Sequence, residues 1–137
     1  MKKSLKALLI FPLLTGCEKS VNESLNANNL TPLHGSWNGS WSWEKGSKSS
    51  ILISADSIKL TNFPLKNIVD SSQSLLNEEF KYSFEKNYGG KAQPCLLVTT
   101  TKGRGSFPLY ISKESGFWTL KYSFSTDLGQ SVTFKKN

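Results

Sequence analysis

The chain has 137 residues, of which 37% are hydrophobic and 12% aromatic, and it carries a formal net charge of +7. This length corresponds to one domain and is sufficient to bury a core. The basic residues are spread along the chain, whereas nucleic-acid-binding proteins concentrate theirs in a patch or stripe. We therefore expect no nucleic-acid partner.

The first 16 residues have the pattern of a secretory signal peptide. Lys2, Lys3 and Lys6 form a positive n-region, residues 7–14 form an apolar run, and two small residues follow. A transmembrane helix needs about 20 apolar residues, so this run is too short to span a membrane. Removal of residues 1–16 leaves 14 basic against 10 acidic residues, a net charge of +4.

A cysteine follows this leader directly. Leu14-Thr15-Gly16-Cys17 resembles the lipobox of bacterial lipoproteins, whose cysteine is acylated after export. The resemblance implies cleavage before Cys17 and fatty acyl chains such as palmitate on this residue, which anchor the protein in a membrane. In enteric-type sorting an Asp after the cysteine retains a lipoprotein at the inner membrane. Because Glu18 stands there, the resemblance implies the periplasmic side of the outer membrane.

The next segment, residues 17–34, is rich in Asn and Ser and contains no aromatic residue. Pro32 interrupts any helix in it. Such a composition is typical of a flexible linker. We predict a tether that joins the lipid-bearing cysteine to a single β domain at residues 35–137.

From Gly35 onward apolar and polar residues alternate with period two, the pattern of half-buried strands. Phe80, Tyr82 and Phe84, for example, share one face of a predicted strand. Turn sequences such as "NYGGK" separate successive strands. Residues 62–77 are ambiguous, because they fit either a strand with a loop or a short helix. The predicted strands are 36–43, 49–54, 57–61, 79–86, 94–101, 106–112, 117–124 and 130–136.

About eight short strands joined by short turns predict an antiparallel all-β domain. We favour a closed or nearly closed up-and-down barrel, because closure leaves no exposed strand edge, with a β-sandwich as the alternative. Gly35-Ser36-Trp37 resembles the Gly-X-Trp signature of the calycin group, which includes the lipocalins. The resemblance implies a lipocalin-like barrel in which Trp37 plugs the floor.

Residues suited to catalysis or metal binding are scarce. His34 is the sole histidine and lies in the predicted tether, so we expect neither a nucleophile–histidine site nor a metal site. Glu78 and Glu79 are adjacent, so they point to opposite faces of a strand and cannot form a facing pair. We predict a non-enzymatic protein without a cofactor.

Acylation of Cys17 leaves Cys95 without an intramolecular partner in the oxidising periplasm. An odd cysteine is a reactive thiol, an intermolecular bridge or a small buried hydrophobe. Cys95 shares a strand face with Leu97, so we favour a place in the core.

The aromatic residues are the candidates for ligand binding. Trp37, Trp41 and Trp43 share one face of the first strand and either fill the barrel or line an open mouth. In the second case Trp118 and Tyr122 face them, and the aromatic walls accept an apolar or glycan ligand.

Two further residues are candidates for contacts with a protein partner. Arg104, the only arginine, lies in a predicted hairpin turn and can bind a carboxylate. Tyr88 lies beside two glycines in a turn, where we expect it to be exposed.

These features leave three functions open. The first is a binding module for a small apolar ligand or an envelope component. The second is an inhibitor, immunity or exclusion lipoprotein that blocks a wall-degrading enzyme, toxin or phage, since Thr101-Lys102-Gly103 resembles the Thr-Lys-Gly of membrane-bound lysozyme inhibitors. The third is an accessory of a secretion, pilus or conjugation apparatus, which needs an exposed apolar patch or an unpaired strand edge.

Overall fold

The computed structural model describes residues 25–43, 47–66, 72–100 and 105–137. The predicted signal peptide, the predicted lipid attachment at Cys17 and the predicted contact residue Arg104 lie outside these ranges. Within them, no helix is long and apolar enough to cross a membrane.

Eight antiparallel strands form a closed barrel in which each strand pairs with its neighbours in the chain and β8 pairs with β1. The prediction of a closed up-and-down barrel is confirmed, and the chain does not form the alternative sandwich. The strands are β1 (Gly35–Trp41), β2 (Ser47–Ile53), β3 (Ile58–Lys66), β4 (Gln73–Glu85), β5 (Cys95–Thr99), β6 (Ser106–Glu114), β7 (Phe117–Ser125) and β8 (Gln130–Lys136).

The period-two pattern produces the inner and outer faces of this barrel. In β6, Phe107, Leu109 and Ile111 are buried, while the residues between them are more exposed. Successive side chains of a strand point to opposite faces of the sheet. One apolar row per strand therefore turns into the lumen, and its burial drives closure.

The stretch that was ambiguous in sequence belongs mainly to β3 and β4. β3 continues to Lys66 and β4 begins at Gln73, which confirms the strand alternative in the described part of the stretch. The β3–β4 register shifts between Leu60 and Phe63, and Asn62 at this shift has a φ of 52°. A bulge adds one residue to a strand, so the inward row of β3 passes from even to odd positions.

Aromatic rings fill the lumen. The ring centroid of Phe63 lies 4.7 Å from that of Tyr122, 5.3 Å from that of Phe107 and 5.8 Å from that of Phe134. These partners belong to β7, β6 and β8, so the contacts cross the barrel from β3. An eight-stranded barrel is just wide enough for such packing.

The seam between β1 and β8 closes the barrel through a short ladder of two residue pairs. Gly39 of β1 faces β8 at this seam. A Cβ at this position would lie 2.9 Å from the Thr133 carbonyl oxygen and from side-chain carbons of Val132 and Phe134. The close approach of the two strands therefore requires a residue without a side chain.

The residues before β1 cover one end of the barrel, which we call the proximal end. The opposite end, where β1 ends at Trp41, is the distal end. A short 3-10 helix at Thr31–Leu33 leads into β1, and Leu25 and Leu33 are only 2% and 0% exposed. The Trp37 indole N–H donates a hydrogen bond to the Leu33 carbonyl oxygen at 2.9 Å.

This packing differs from the tether predicted over residues 17–34. Residues 25–34 belong to the folded unit, and residues 17–24 lie outside the described ranges. The physical reason is that the open end of the lumen exposes apolar surface, which Leu25 and Leu33 cover. The composition of residues 17–34 did not indicate that these two leucines are buried, because most of their neighbours are polar.

Candidate functional site

The five aromatic residues predicted to bind a ligand are divided between the two ends of the barrel. Trp37 and Trp118 lie toward the proximal end, whereas Trp41, Trp43 and Tyr122 lie toward the distal end. Both β1 and β7 run from the proximal to the distal end, so the residues at the beginning of each strand lie far from the residues at its end. The five side chains therefore do not surround one mouth.

The two proximal tryptophans have different surroundings. Trp37 is fully buried, and its indole N–H already has the Leu33 carbonyl oxygen as a partner. Trp118 is half-buried, and the Lys113 ammonium group lies 4.9 Å from its ring centroid. Trp37 thus acts as a core residue, while Trp118 keeps an accessible face.

Trp41 and Trp43 cover the distal end. Their ring centroids are 6.0 Å apart, and the Trp43 ring lies 5.3 Å from that of Phe124. The Trp43 indole N–H donates to the side-chain oxygen of Gln73 at 2.8 Å. This bond joins the end of β1 to the start of β4 and holds the Trp43 ring in place.

A groove of about 480 Å³ opens beside these two tryptophans, a volume within the range of small-molecule sites. One wall is the end of β1, and the other is the β7–β8 turn with the start of β8. Indole rings and one leucine supply apolar surface, while hydroxyl and amide groups supply polar surface. The lining residues are Ser40, Trp41, Ser42, Trp43, Leu128, Gly129, Gln130 and Ser131.

Trp41, one of the residues that line this groove, has a buried indole N–H. Trp41 is 7% exposed, and its nitrogen is buried without a hydrogen-bond partner among the described residues. A buried donor without an acceptor costs about 1–3 kcal/mol. Because an indole nitrogen only donates, the group that satisfies it must be an acceptor.

Tyr122 has a positioning role at the distal end. Its hydroxyl oxygen accepts a hydrogen bond from the Lys66 backbone N–H at 3.0 Å, which joins the end of β3 to β7 across the lumen. Burial raises the pKa of the Tyr122 hydroxyl, and the hydrogen bond from Lys66 partly opposes this. The phenol is therefore neutral at ordinary pH and is occupied by an internal contact.

The predicted partner contacts are only partly described. Tyr88 is half-buried, with its ring packed edge-on against Tyr110 at a centroid distance of 6.2 Å. It is thus less exposed than we expected for a turn residue, because the β4–β5 connection folds back onto β6. Arg104 lies outside the described residues, and its role stays a prediction.

Cys95 is fully buried, as the sequence analysis favoured, although it lies outside the cluster of apolar side chains that fills the lumen. It shares its face with Leu97, as predicted, and this is the outer face of β5, because Leu96 and Val98 point into the lumen. Burial, and to a lesser extent the charge of Glu85, raises the pKa of the Cys95 thiol to about 11. Thiolate chemistry is therefore suppressed at this cysteine.

The remaining titratable residues do not assemble into a reactive cluster in the described ranges. His34 follows the 3-10 helix at the proximal end. No group of three or more His, Cys, Asp or Glu residues that could hold a metal ion occurs in these parts of the chain. Comparison with known proteins finds no matching family model, no matching curated protein and no matching solved structure.

The second wall of the distal groove was not predicted from the sequence. Leu128, Gln130 and Ser131 join Trp41 and Trp43 only because β8 returns to pair with β1. The prediction of a closed barrel implied this pairing. It did not specify the register, which decides which residues of β8 face the end of β1.

Proposed function

We propose that this chain is a non-enzymatic lipoprotein of the periplasmic side of the outer membrane, anchored through Cys17, whose lipocalin-like barrel binds a saccharide-bearing envelope component at its distal end. The observation that carries the binding role is that Trp41, which lines the distal groove, has a buried indole N–H without a partner among the described residues. Such a donor favours an acceptor supplied by a ligand.

The filled lumen supports binding at the end of the barrel rather than inside it. Phe63 lies at the centre of ring contacts that join four strands, and it is fully buried. A ligand inside would have to displace these rings, which pack at the density of a protein interior. The distal groove is already open, and only the indole ring of Trp41 has to turn for its buried N–H to meet a ligand there.

The chemistry of the groove favours a saccharide over a purely apolar ligand. The C–H face of a sugar ring can pack on indole rings such as those of Trp41 and Trp43, while its oxygens accept or donate hydrogen bonds. Gln130 and Ser131 supply polar groups on the opposite wall. An apolar ligand would leave these groups and the Trp41 N–H unpaired in a desolvated site.

The leader sequence supports the proposed export of the protein and its proposed lipid attachment at Cys17. A positive n-region, a short apolar run and small residues precede Cys17 in the order typical of a lipoprotein signal. Mass spectrometry of the protein extracted from envelopes tests this part. We expect an N-terminal peptide that begins at Cys17 and carries acyl chains, whereas an unmodified peptide that begins at Met1 would refute it.

Calorimetric titration with soluble muropeptides tests the binding part. We expect saturable binding by the wild-type protein and about tenfold weaker binding by Trp41→Phe, which removes the N–H but keeps an aromatic ring. Trp118→Phe is the matched control, because it makes the same change at the other end and should bind as the wild type does.

Two outcomes would overturn the saccharide assignment. Equal affinity of the wild type and Trp41→Phe would show that the indole N–H does not contact the ligand. Binding of an apolar dye in place of muropeptides, also weakened by Trp41→Phe, would assign the groove to a small apolar ligand.

The other two hypotheses have less support in the described residues. The inhibitor hypothesis depends on residues 101–104, which lie outside them. The accessory hypothesis asks for an unpaired strand edge, and each of the eight described strands is paired on both sides. The exposed apolar residues Phe117 and Leu128 lie at opposite ends of the barrel and do not form one patch.

A further inference from the structure

A second groove, of about 450 Å³, lies at the proximal end. It is formed where three parts of the chain meet: Pro32 before β1, the β6–β7 turn, and the end of β8. Its apolar surface comes mainly from Phe117 and Trp118. Phe117 is 75% exposed, which makes it the most exposed large apolar side chain of the described residues.

Lysines surround these two aromatic side chains. The ammonium group of Lys113 lies 4.9 Å from the centroid of the Trp118 ring. Lys135 and Lys136 line the same groove, with Glu114 as the carboxylate among its lining residues. The groove therefore combines a protruding aromatic ring with an excess of positive charge.

The chain that leads toward Cys17 leaves the barrel at this same end. Leu25 is packed against the barrel, and Cys17 lies only eight positions before it in the chain. A flexible chain of that length has a root-mean-square span of about 15 Å, and even when fully extended it reaches no more than about 29 Å. An anchor at Cys17 therefore holds the proximal end, and not the distal end, close to the bilayer.

We propose that the proximal groove docks the barrel on anionic phospholipid headgroups of the membrane that holds the anchor, which rests on the proposed acylation of Cys17. Phe117 inserts at the boundary between headgroups and acyl chains, where interfacial segments bury Trp, Phe and Leu side chains. Lys113 and Lys135 attract the lipid phosphates, since cationic residues near an anionic surface strengthen binding. Docking directs the distal groove away from the bilayer, toward the periplasm.

Site-specific labels on the two ends test this orientation. Ser115→Cys places a fluorophore in the proximal β6–β7 turn, and Thr126→Cys places one in the distal β7–β8 turn. Cys95 is fully buried and does not compete for the label. The lipid-bearing protein is reconstituted in vesicles of phosphatidylcholine alone or in an equal mixture with phosphatidylglycerol, and nitroxide headgroup lipids serve as quenchers.

We expect several-fold stronger quenching at position 115 than at position 126 in vesicles that contain phosphatidylglycerol. We expect this difference to shrink in phosphatidylcholine alone. Equal quenching at the two positions, or a difference that does not depend on phosphatidylglycerol, would overturn the proposal.

Surface variants assign the effect to the groove. Lys135→Gln should lower the docking equilibrium constant about fivefold, the contribution of one lysine near an anionic surface. Phe117→Ser should also reduce quenching at position 115. Leu75→Ser is the matched control for Phe117→Ser, because Leu75 is 50% exposed near the distal start of β4, lines neither groove and should leave the quenching unchanged. An equal effect of the two serine variants would contradict docking through the proximal groove.

The labelling experiment also shows whether Cys17 is acylated, independently of docking. If Cys17 carries no acyl chain, it takes up a second fluorophore, which the labelling stoichiometry shows. A singly labelled, vesicle-bound protein without preferential quenching at position 115 refutes the docking proposal alone and leaves the proposed function intact.

Discussion

The two ends of the barrel differ in whether the described residues provide a hydrogen-bond acceptor for a buried tryptophan N–H. Each end receives an inward-facing tryptophan from β1, and each indole carries an N–H that needs an acceptor. At the proximal end Leu33 supplies its carbonyl oxygen to Trp37 at 2.9 Å. At the distal end the N–H of Trp41 has no partner among the described residues.

This difference between the two ends arises from the segment that precedes β1. Residues 25–34 cover the proximal end and bring both apolar surface and a backbone acceptor. Among the described residues, the side chains of Trp41 and Trp43 cover the distal end and bring apolar surface but no acceptor for the Trp41 N–H. Closure of the lumen and satisfaction of polar groups are therefore separate requirements, and within the described part of the chain only the proximal end meets both.

The largest effect should come from removing the proximal cover. Leu33→Ala deletes a fully buried side chain and should lower the free energy of unfolding by about 3 kcal/mol. Urea denaturation measures this change. Leu52→Ala, at a position that is 49% exposed on β2, is the control and should cost no more than about 0.5 kcal/mol. A similar small cost for both variants would mean that residues 25–34 do not close the barrel.

The seam that runs between the two ends should be the next most sensitive feature. Gly39→Ala introduces a Cβ 2.9 Å from the Thr133 carbonyl oxygen, and the backbone must shift to accommodate it. We expect a loss of about 1–3 kcal/mol in urea denaturation, typical of overpacking. Ser40→Ala changes the neighbouring outward position and should be close to neutral. Equal stability of Gly39→Ala and the wild type would show that β1 and β8 are less closely packed than described.

The paired tryptophans allow a direct comparison of the two N–H groups. Trp37→Phe and Trp41→Phe remove similar volumes, but only the first breaks an existing hydrogen bond. We expect Trp37→Phe to be the more destabilising by about 1–2 kcal/mol in chemical denaturation. If Trp41→Phe is equally destabilising, its N–H has an acceptor in the folded protein and the proposed contrast is wrong.

The smallest effect should be a loss of stability in alkaline solution. The pKa of Cys95 rises from 9.0 to about 11 on folding, so the folded state holds this proton more tightly than the unfolded state. This contribution is complete below pH 9 and is lost as the pH rises from 9 toward 11, amounting to about 1 kcal/mol near pH 10. Tyr122, whose pKa is also raised, adds a loss only above pH 10.

Denaturation of Cys95→Ala across this pH range provides the control. Its stability should decline less between pH 9 and 10 than that of the wild type, because the alanine has no proton to lose. Parallel pH profiles for the two proteins would exclude Cys95 as the cause.

The period-two pattern predicted about eight strands, and the closed barrel was favoured over a sandwich because closure leaves no exposed strand edge. Alternation is a local property, and burial of one row follows from it directly. The structure of residues 62–77 was harder to predict, because the bulge at Asn62 interrupts the alternation. The positive φ of Asn62 cannot be recognised from its sequence neighbours, which are polar as well as apolar. The period-two rule assumes an unbroken register, which a bulge violates.

The proximal cover and the distal groove were predicted less completely, because both depend on contacts between distant parts of the chain. Leu25 and Leu33 are buried only by the end of a barrel that forms after them. Trp41 was identified from its strand face, but the residues opposite it come from β8, at the other end of the sequence. Composition and periodicity depend on residues that are close in sequence, so they do not show which residues of β8 lie opposite β1.

Central to the proposed function is that a ligand supplies the acceptor which the Trp41 N–H lacks among the described residues, whereas the Trp37 N–H needs none. NMR spectroscopy of the indole N–H resonances during titration with muropeptides tests this most directly, since an N–H proton shifts when it gains an acceptor. The account predicts a large shift of the Trp41 resonance at saturation and an unchanged Trp37 resonance, because the Trp37 N–H is already bonded to Leu33. A stationary Trp41 resonance while muropeptide is bound, or a shift of Trp37 instead, would contradict it.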